Sequence, residues 1–293
     1  MRYDTAAAFR QALEDRLRAL SRETGLPLMR LRKLVAFERL VVRLEADQPG
    51  RWVLKGGLAL QWRLGGLART TKDVDLALRV TLADPHEALM HAGQADLADW
   101  FSFFVHRPAS LQTPLAGALR FPVVCLLDGR RFETFHIDVG WGDPITEAPE
   151  RLPVPSLLQF AGLTSCGVLC YPISQHLAEK VHAYSRPHPT GSNTRAKDLV
   201  DILLLGKVGT LSAEQLARAI EATFARRGTH RMPASLPEAP AAWAAAYRRM
   251  AAEVDLPAAD LAAAMSLAHS FLDPVLSAQA RGVWDPVTWR WQG

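Results

Sequence analysis

The chain has 293 residues, of which 49% are hydrophobic and 22% charged, which is typical of a soluble globular protein with a sizeable core and one large or two ordinary domains. No apolar run approaches the length of a membrane span, which is about 18 residues. The N-terminal segment contains acids and arginines where a signal peptide has an apolar run, so we expect a cytoplasmic protein. The net charge of +4 favours a polyanionic partner only slightly, and Cys166 and Cys170 lack the nearby Cys or His pair of a zinc site.

The first half of the sequence has an α+β pattern. Apolar residues at helical spacing predict two helices within the first fifty residues. Beyond them the pattern predicts a strand, a short helix, a second strand, a longer helix, a third strand and a hairpin with its turn at Asp128-Gly129. In order, these segments are residues 52–54, 58–64, 73–78, 85–100 and 101–106, with hairpin strands at 121–127 and 132–139.

A glycine pair and an acid pair lie close together in this half. Lys55-Gly56-Gly57 follows the first predicted strand, and Asp73-Val74-Asp75 opens the second. Residues i and i+2 of a strand share a face, so Asp73 and Asp75 present two carboxylates that repel unless a cation lies between them. Mg²⁺ is the usual cation, and glycine backbone can approach a phosphate closely. An isolated Asp-x-Asp is more often a solvated strand face, but the two motifs together indicate nucleotidyl transfer.

Asp138 is a candidate third carboxylate. It lies on the return strand of the hairpin between Ile137 and Val139, whose β-branched side chains favour partial burial. A partly buried carboxylate needs a partner or a metal. The alternative is an exposed residue near the end of the strand.

From about residue 150 the pattern becomes predominantly helical. We therefore expect two domains, residues 1–150 and 151–293. One predicted helix runs from Arg195 to Leu205, with Gly206 as the residue that follows its end. The tail, residues 284–293, carries three tryptophans. We expect it to pack onto the body of the protein rather than to stack on nucleic-acid bases.

Charged residues also interrupt apolar stretches in the second half. Lys180 lies on one predicted helix, and Asp198 and Asp201 share a face of the next. Asp201 lies inside an apolar run, where an unpaired carboxylate is destabilising. Lys180 with Asp201, or Arg195 with Asp198, can form an ion pair that joins the helices. Equally, Lys180 can bind nucleotide phosphates while Asp201 orients it, and the two interpretations are compatible.

Together these motifs resemble the AbiEii/AbiGii (MenT-like) nucleotidyltransferase toxins. The resemblance spans about residues 30 to 275 and rests on five motifs, which are Lys55-Gly56-Gly57-Leu58-Ala59-Leu60, Arg69-Thr70-Thr71-Lys72-Asp73-Val74-Asp75, Asp138, Glu179-Lys180-Val181-His182-Ala183 and Arg195-Ala196-Lys197-Asp198-Leu199-Val200-Asp201. It implies an α+β fold, with a polymerase-β-like nucleotidyltransferase core (a mixed sheet with flanking helices) followed by a helical C-terminal half.

The resemblance also implies a function. The chain would be the toxin of a toxin–antitoxin or phage-defence pair, with an AbiEi-like antitoxin as its partner. It would take a nucleoside triphosphate and add nucleotides to the 3′ acceptor end of tRNA, which blocks translation. The chemistry would use Mg²⁺, in a two-metal arrangement with the ions about 3.5–4 Å apart.

Site residues follow from the same resemblance. Asp73, Asp75 and Asp138 would be the metal ligands, Lys180 the triphosphate-binding lysine, and Asp201 a further residue essential for activity. The residues implied in nucleotide binding are Lys55, Gly56, Gly57, Arg69, Thr71, Lys180, Arg195 and Asp198. One departure is Leu58, where the family commonly has a Ser or Thr whose hydroxyl binds phosphate.

Rival functions remain open at this point. The same chemistry can serve a protein or a small-molecule acceptor such as an aminoglycoside. A catalytically dead binding module is disfavoured by the number of acids on core elements. A glycosyltransferase also uses Asp-x-Asp with a metal, but the short spacing from Lys55-Gly56-Gly57 disfavours it. We further expect the Thr71 hydroxyl to lie at the mouth of the site. A phosphate group added to Thr71 would bring a charge of about −1.5 to −2 and would repel the triphosphate.

Overall fold

The computed structural model describes residues 1–65, 71–79, 84–108, 118–187, 195–254, 256 and 258–293. The chain divides into two compact units. The first comprises Met1–Trp62, Thr70–Gly142 and Arg151–Cys170. The second comprises Arg63–Arg69, Asp143–Glu150 and Tyr171–Gly293.

The first unit contains a sheet and helices. Its helices are α1 (Ala6–Thr24), α2 (Leu28–Asp47), α3 (Gly56–Leu64) and α4 (Pro85–Gly93). Its strands are β1 (Trp52–Lys55), β2 (Val74–Leu78), β3 (Phe101–Val105), β4 (Ala118–Leu127), β5 (Arg130–Trp141), β6 (Glu150–Pro153) and β7 (Gly167–Cys170). The two N-terminal helices and the hairpin β4–β5 confirm the pattern predicted from the sequence.

The described residues form a seven-stranded mixed sheet in the order β3-β4-β5-β2-β1-β7-β6. The central strand β2 is parallel to β5 and antiparallel to β1. Helix α2 covers one face of this sheet, where Phe37 meets Phe135 edge-to-face with ring centroids 4.9 Å apart. Phe9 of α1 adds to the same core. The α+β class and the mixed sheet with flanking helices are therefore confirmed.

The helix predicted over residues 85–100 is shorter, because α4 ends at Gly93. A Cβ on Gly93 would lie 2.8 Å from the backbone oxygen of Phe103, so the helix end packs tightly on β3. Asp99 is fully buried and accepts hydrogen bonds from Arg39 Nε at 2.7 Å and Arg43 Nη1 at 3.0 Å. This buried ion network holds the segment before β3 in a non-helical conformation.

Strands β6 and β7 were not predicted from the sequence. They follow residue 150, where the pattern indicated mainly helices, and they complete the sheet of the first unit. Each has only four residues, and β6 is exposed at every second position. Such short strands lack the repeated alternation that identifies a strand in sequence.

The second unit is mainly helical. Its helices are α5 (Ile173–Ser185), α6 (Ala196–Val208), α7 (Ala213–Arg227), α8 (Ala244–Glu253) and α9 (Leu261–Leu276), and a hairpin of β8 (Val283–Asp285) and β9 (Arg290–Gln292) closes the chain. Helix α5 packs against α6 and α7, while α6 also packs against α8 and α9. No helix in the described ranges is both long and apolar enough to cross a membrane.

Helix α6 continues through Gly206, which corrects the predicted helix end at this residue. A Cβ on Gly206 would lie 2.9 Å from the Trp289 ring, so this glycine permits close packing rather than ending the helix. The Gly206 carbonyl also accepts a hydrogen bond from Trp284 Nε1 at 2.8 Å. Trp284 is 1% exposed and packs against Phe271 with the ring planes tilted by 41°, which confirms that the tail packs onto the body.

Candidate active site

A row of charged residues crosses four strands of the first unit. The strand registers pair Arg120 of β4 with Asp138 of β5, Asp138 with Asp75 of β2, and Asp75 with Lys55 at the end of β1. Directly opposed residues in adjacent strands lie side by side on one face. Val74 is fully buried, so alternation directs Asp75 away from the core. Two acids thus lie between two basic residues, and we call these four residues the acid row.

Asp75 lies directly against Gly56. Gly56 has φ +63°, and a Cβ built on it would fall 2.0 Å from Asp75 Oδ2, so this position accommodates only glycine. Gly56 is also the first residue of α3, and Gly57 is the second. The backbone N–H groups at the start of α3, which lack partners within the helix, therefore lie close to the Asp75 carboxylate. The next residue, Leu58, is fully buried and contributes no hydroxyl to this end.

Arg120 is the strongest partner of the acids. Its Nε lies 2.7 Å from Asp138 Oδ1, and its Nη2 lies 2.6 Å from Asp138 Oδ2 and 3.4 Å from Asp73 Oδ2. These hydrogen bonds to Asp138 raise the pKa of the guanidinium above its usual value, and the negative charges of Asp138, Asp73 and Asp75 add to the effect against the opposing influence of burial. The guanidinium therefore acts as the counter-ion of the acids.

Asp73 precedes β2 and completes the cluster. Its Oδ1 lies 3.4 Å from His136 Nδ1, and its Oδ2 contacts Arg120. Because one guanidinium reaches both Asp73 and Asp138, the three predicted metal ligands belong to one surface at one end of β2 and β5. Arg120 and His136 escaped the sequence analysis. The pairing register of β4 and β5 reveals Arg120, and that of β2 and β5 brings His136 beside Asp73.

Oxygen ligands from three carboxylates match the preference of Mg²⁺. In the part of the chain that the structure describes, no three or more His, Cys, Asp or Glu side chains form a group able to hold a metal as they stand. The Arg120 guanidinium contacts both Asp73 and Asp138. The donor set fits a divalent cation, whereas its present arrangement satisfies a guanidinium.

A second charged cluster lies in the second unit. Lys180 Nζ of α5 lies 2.7 Å from Asp201 Oδ2 and 3.1 Å from Asp198 Oδ1 of α6. Arg195 Nη1 lies 3.3 Å from Asp198 Oδ2. The two aspartate side chains are 0% and 2% exposed, and that of Lys180 is 15% exposed. Both ion pairs considered from the sequence are thus present, and Lys180 bridges two buried acids.

Residues beside Lys180 fix helix α5 in place. Glu179 and Asp143 both lie 3.2 Å from Arg227 Nη2 at the end of α7. His182 is buried, accepts or donates a 2.9 Å hydrogen bond with the Thr229 hydroxyl, and has its pKa lowered by burial and by the charge of Arg227 to about 4. These contacts connect the residues around Lys180 to the end of α7 and to the loop that follows α7.

Two predicted nucleotide-binding residues have other outcomes. Arg69 lies outside the described residues. Thr71 is buried, and its hydroxyl donates a 3.2 Å hydrogen bond to the backbone oxygen of Asp73. The expectation that the Thr71 hydroxyl lies at the mouth of the site stays a prediction. Thr71 shapes the segment that leads to Asp73.

The acid row, the start of α3 and the Lys180 cluster all lie within a match to a known protein family. A family model described as the nucleotidyl transferase AbiEii toxin of a type IV toxin–antitoxin system matches residues 39–271, which include both clusters. The chain belongs to the AbiEii nucleotidyltransferase toxin family. It is therefore a nucleotidyltransferase of the toxin–antitoxin class, and the resemblance read from the motifs is confirmed. None of the curated protein sequences compared with this AbiEii chain matches it.

Known structures give a consistent result for the fold. The AbiEii chain is similar to MenT4, a nucleotidyltransferase toxin from Mycobacterium tuberculosis H37Rv, at 20% identity over 91% of this chain and 99% of that one, with a TM-score of 0.53. Further matches are an antigenic nucleotidyltransferase-like protein from Paracoccidioides brasiliensis (15% identity, 67% and 88% covered, TM-score 0.43) and JHP933 from Helicobacter pylori (17%, 64% and 76%, TM-score 0.36). The likeness to MenT4 shows a shared nucleotidyltransferase fold.

Proposed function

We propose that this AbiEii-family enzyme transfers a nucleoside monophosphate from a nucleoside triphosphate to the 3′ acceptor end of tRNA in a Mg²⁺-dependent reaction, and thereby inhibits translation in the cytoplasm. The observation that carries the proposal is the acid row beside the glycine start of α3, where Asp75 packs against Gly56. Clustered carboxylates next to a helix N-terminus suit a reaction that joins a metal to a triphosphate.

The acids of the first unit have the part of metal ligands in this proposal. Asp73, Asp75 and Asp138 would hold Mg²⁺ through carboxylate oxygens. When bound, the metal lowers the pKa of the attacking hydroxyl and neutralises charge on the leaving pyrophosphate. The 3′ oxygen of the acceptor forms a bond to the α-phosphorus while the bond to the β-phosphate oxygen breaks. A carboxylate of the acid row accepts the hydroxyl proton, and pyrophosphate leaves.

Other residues would bind the nucleotide. Backbone N–H groups at Gly56 and Gly57 can donate to phosphate oxygens, because the first turn of a helix leaves them without intrahelical partners. Lys55 adds positive charge at the end of β1. In the second unit, Lys180 would neutralise the triphosphate, with Asp201 holding its ammonium group in place by the 2.7 Å ion pair. Arg195 and Asp198 would complete this phosphate-binding group.

The acceptor is the finer part of the proposal. A net charge of +4 and the toxin family support an RNA acceptor and a translation block, with an AbiEi-like protein as the antitoxin. A protein or an aminoglycoside is the second candidate acceptor, because the same row of acids would activate any hydroxyl that reached it.

One incubation separates the acceptors. The purified chain would be mixed with Mg²⁺ and each of the four α-³²P-labelled nucleoside triphosphates, together with total tRNA, bulk cell protein or an aminoglycoside in parallel reactions. We expect label on tRNA alone, and no label without Mg²⁺ or with the Asp75→Asn variant. Label on protein or on the aminoglycoside would replace tRNA as the acceptor, and label on none of the three would contradict nucleotidyl transfer.

A further inference from the structure

Arg120 lies where the proposed metal ligands converge. Its guanidinium makes two hydrogen bonds to Asp138, at 2.7 and 2.6 Å, and reaches Asp73 at 3.4 Å. Two parallel N–H to oxygen bonds to one carboxylate are the strongest geometry available to an arginine. The oxygens that would ligate a metal are therefore already in use as acceptors for Arg120.

A guanidinium and a divalent cation compete for these oxygens. Two positive groups at contact distance repel, and each N–H bond takes up one of the about four lone-pair sites that a carboxylate offers to a metal. The Arg120 side chain is 57% exposed, so it can rotate into solvent without opening the core. His136 lies 3.4 Å from Asp73, whereas Arg120 contacts both Asp73 and Asp138.

We propose that Arg120 is a built-in competitor of the catalytic metal, which keeps the acids paired in the metal-free enzyme and sets the affinity of the site for divalent cations. The inference rests on the proposed function, because it takes the acids as metal ligands. Arg120 is a positioning residue: it acts through Asp73 and Asp138. Its rotation away from them is the conformational change that metal binding requires.

The test measures Mn²⁺ binding to the nucleotide-free protein. The electron paramagnetic resonance signal of free Mn²⁺ reports how much of the ion remains unbound. We expect Arg120→Gln to bind Mn²⁺ at least about 10-fold more tightly than the unchanged protein, and Arg120→Lys to lie between them because an ammonium lacks the two-pronged contact. The matched control is Arg107→Gln, since Arg107 is 63% exposed and its 2.7 Å ion pair is with Asp84, which is not one of the proposed metal ligands. The control should bind Mn²⁺ as the unchanged protein does.

The outcomes are distinguishable. Measurable but equal Mn²⁺ affinity in the unchanged protein and Arg120→Gln, or weaker affinity in the variant, would overturn the competition and leave the proposed function standing. Absence of Mn²⁺ binding in both would overturn the metal site itself and the inference with it. A thermal melt gives a second readout that covers poor folding of the variant: Mn²⁺ should raise the melting temperature of Arg120→Gln more than that of Arg107→Gln, and an equal rise would contradict the proposal.

Discussion

At the scale of single residues, chemistry depends on where a few charges are held. Asp75 is set by three constraints: the register to Asp138, the register to Lys55 and the close contact with Gly56. Such close positioning is typical of a side chain that is important for function and not for stability. Lys180 differs, because it pairs with two buried carboxylates in addition to the phosphate-binding role proposed for it.

The first prediction concerns Asp75. Replacing Asp75 by Asn should lower the transfer rate at least about 100-fold, because a neutral amide is a weak metal ligand, while relief of repulsion with Asp138 keeps the fold intact. Asp15→Asn removes an exposed acid paired with Arg18 at 3.1 Å in α1 and serves as the control. Initial rates and melting curves of the two variants check this. Near-normal turnover of a folded Asp75→Asn protein would be incompatible with metal ligation.

The second prediction separates the two parts played by Lys180. Lys180→Met should destabilise the protein by about 3 kcal/mol, since it removes the cation that lies 2.7 Å from buried Asp201. The double change Lys180→Met with Asp201→Leu should regain much of this stability, because both members of the buried ion pair are then removed together. Urea unfolding measures both. Activity should stay absent in the double variant, and recovery of activity together with stability would reduce Lys180 to a structural ion pair.

At the scale of elements, the site depends on how β1 passes into α3, and the first unit as a whole depends on how α2 holds the segment before β3. The first connection places a glycine where the Asp75 carboxylate leaves no room for a side chain. The second uses a buried network of Arg39, Arg43 and Asp99. Both can be tested by single changes with clear physical reasons.

The third prediction uses two glycines with similar backbone angles. Gly56 (φ +63°) has Asp75 Oδ2 2.0 Å from an added Cβ, whereas Gly129 (φ +66°) in the β4–β5 turn has nothing within 4 Å. Gly56→Ala and Gly129→Ala should both cost about 1 kcal/mol in backbone strain. Only Gly56→Ala should displace Asp75 and abolish transfer. Equal activity of the two variants would show that the contact with Asp75 has no functional importance.

The fourth prediction concerns stability against pH. Burial alone would raise the pKa of Asp99, but the hydrogen bonds and charge of Arg43, with the charge of Arg39, hold it below the 3.8 of an ordinary aspartate. A carboxyl with a lowered pKa in the folded state stabilises the fold above its unfolded pKa, and this stabilisation is lost as the pH falls through the folded pKa.

Asp99→Asn should therefore lower the melting temperature at pH 7, where it leaves two buried arginines without their acid, at a cost of about 3 kcal/mol. The difference between the variant and the unchanged protein should shrink below pH 3.8. The pKa of the buried Glu38 is raised chiefly by burial, which is common to both proteins, and also by the charge of Asp99, which the variant lacks. The raised pKa of Glu38 should therefore fall slightly in Asp99→Asn. A difference that stays constant from pH 7 to pH 3 would contradict the assigned ionisation.

At the scale of the whole molecule, the sequence predicted the fold class and the family but not every contact. Asp73, Asp75 and Asp138 could be proposed as site residues because short motifs carry them, and α1 and α2 could be predicted because their apolar spacing is long and regular. Arg120 was missed, since its importance depends on the β4–β5 register, which no local pattern shows. Strands β6 and β7 were missed because they are short. The division into residues 1–150 and 151–293 stays a prediction.

The most direct test of nucleotide transfer to the 3′ end of tRNA is to determine where on the tRNA the transferred nucleotide is attached. The unchanged protein and Asp75→Asn would each be given Mg²⁺, labelled nucleoside triphosphates and either intact tRNA or tRNA whose terminal ribose has been oxidised by periodate. Oxidation destroys the 3′-hydroxyl and leaves the rest of the RNA in place. We expect the 3′ end to be lengthened only when intact tRNA is combined with the unchanged protein. Equal labelling of oxidised tRNA, or labelling by Asp75→Asn at the unchanged rate, would contradict it.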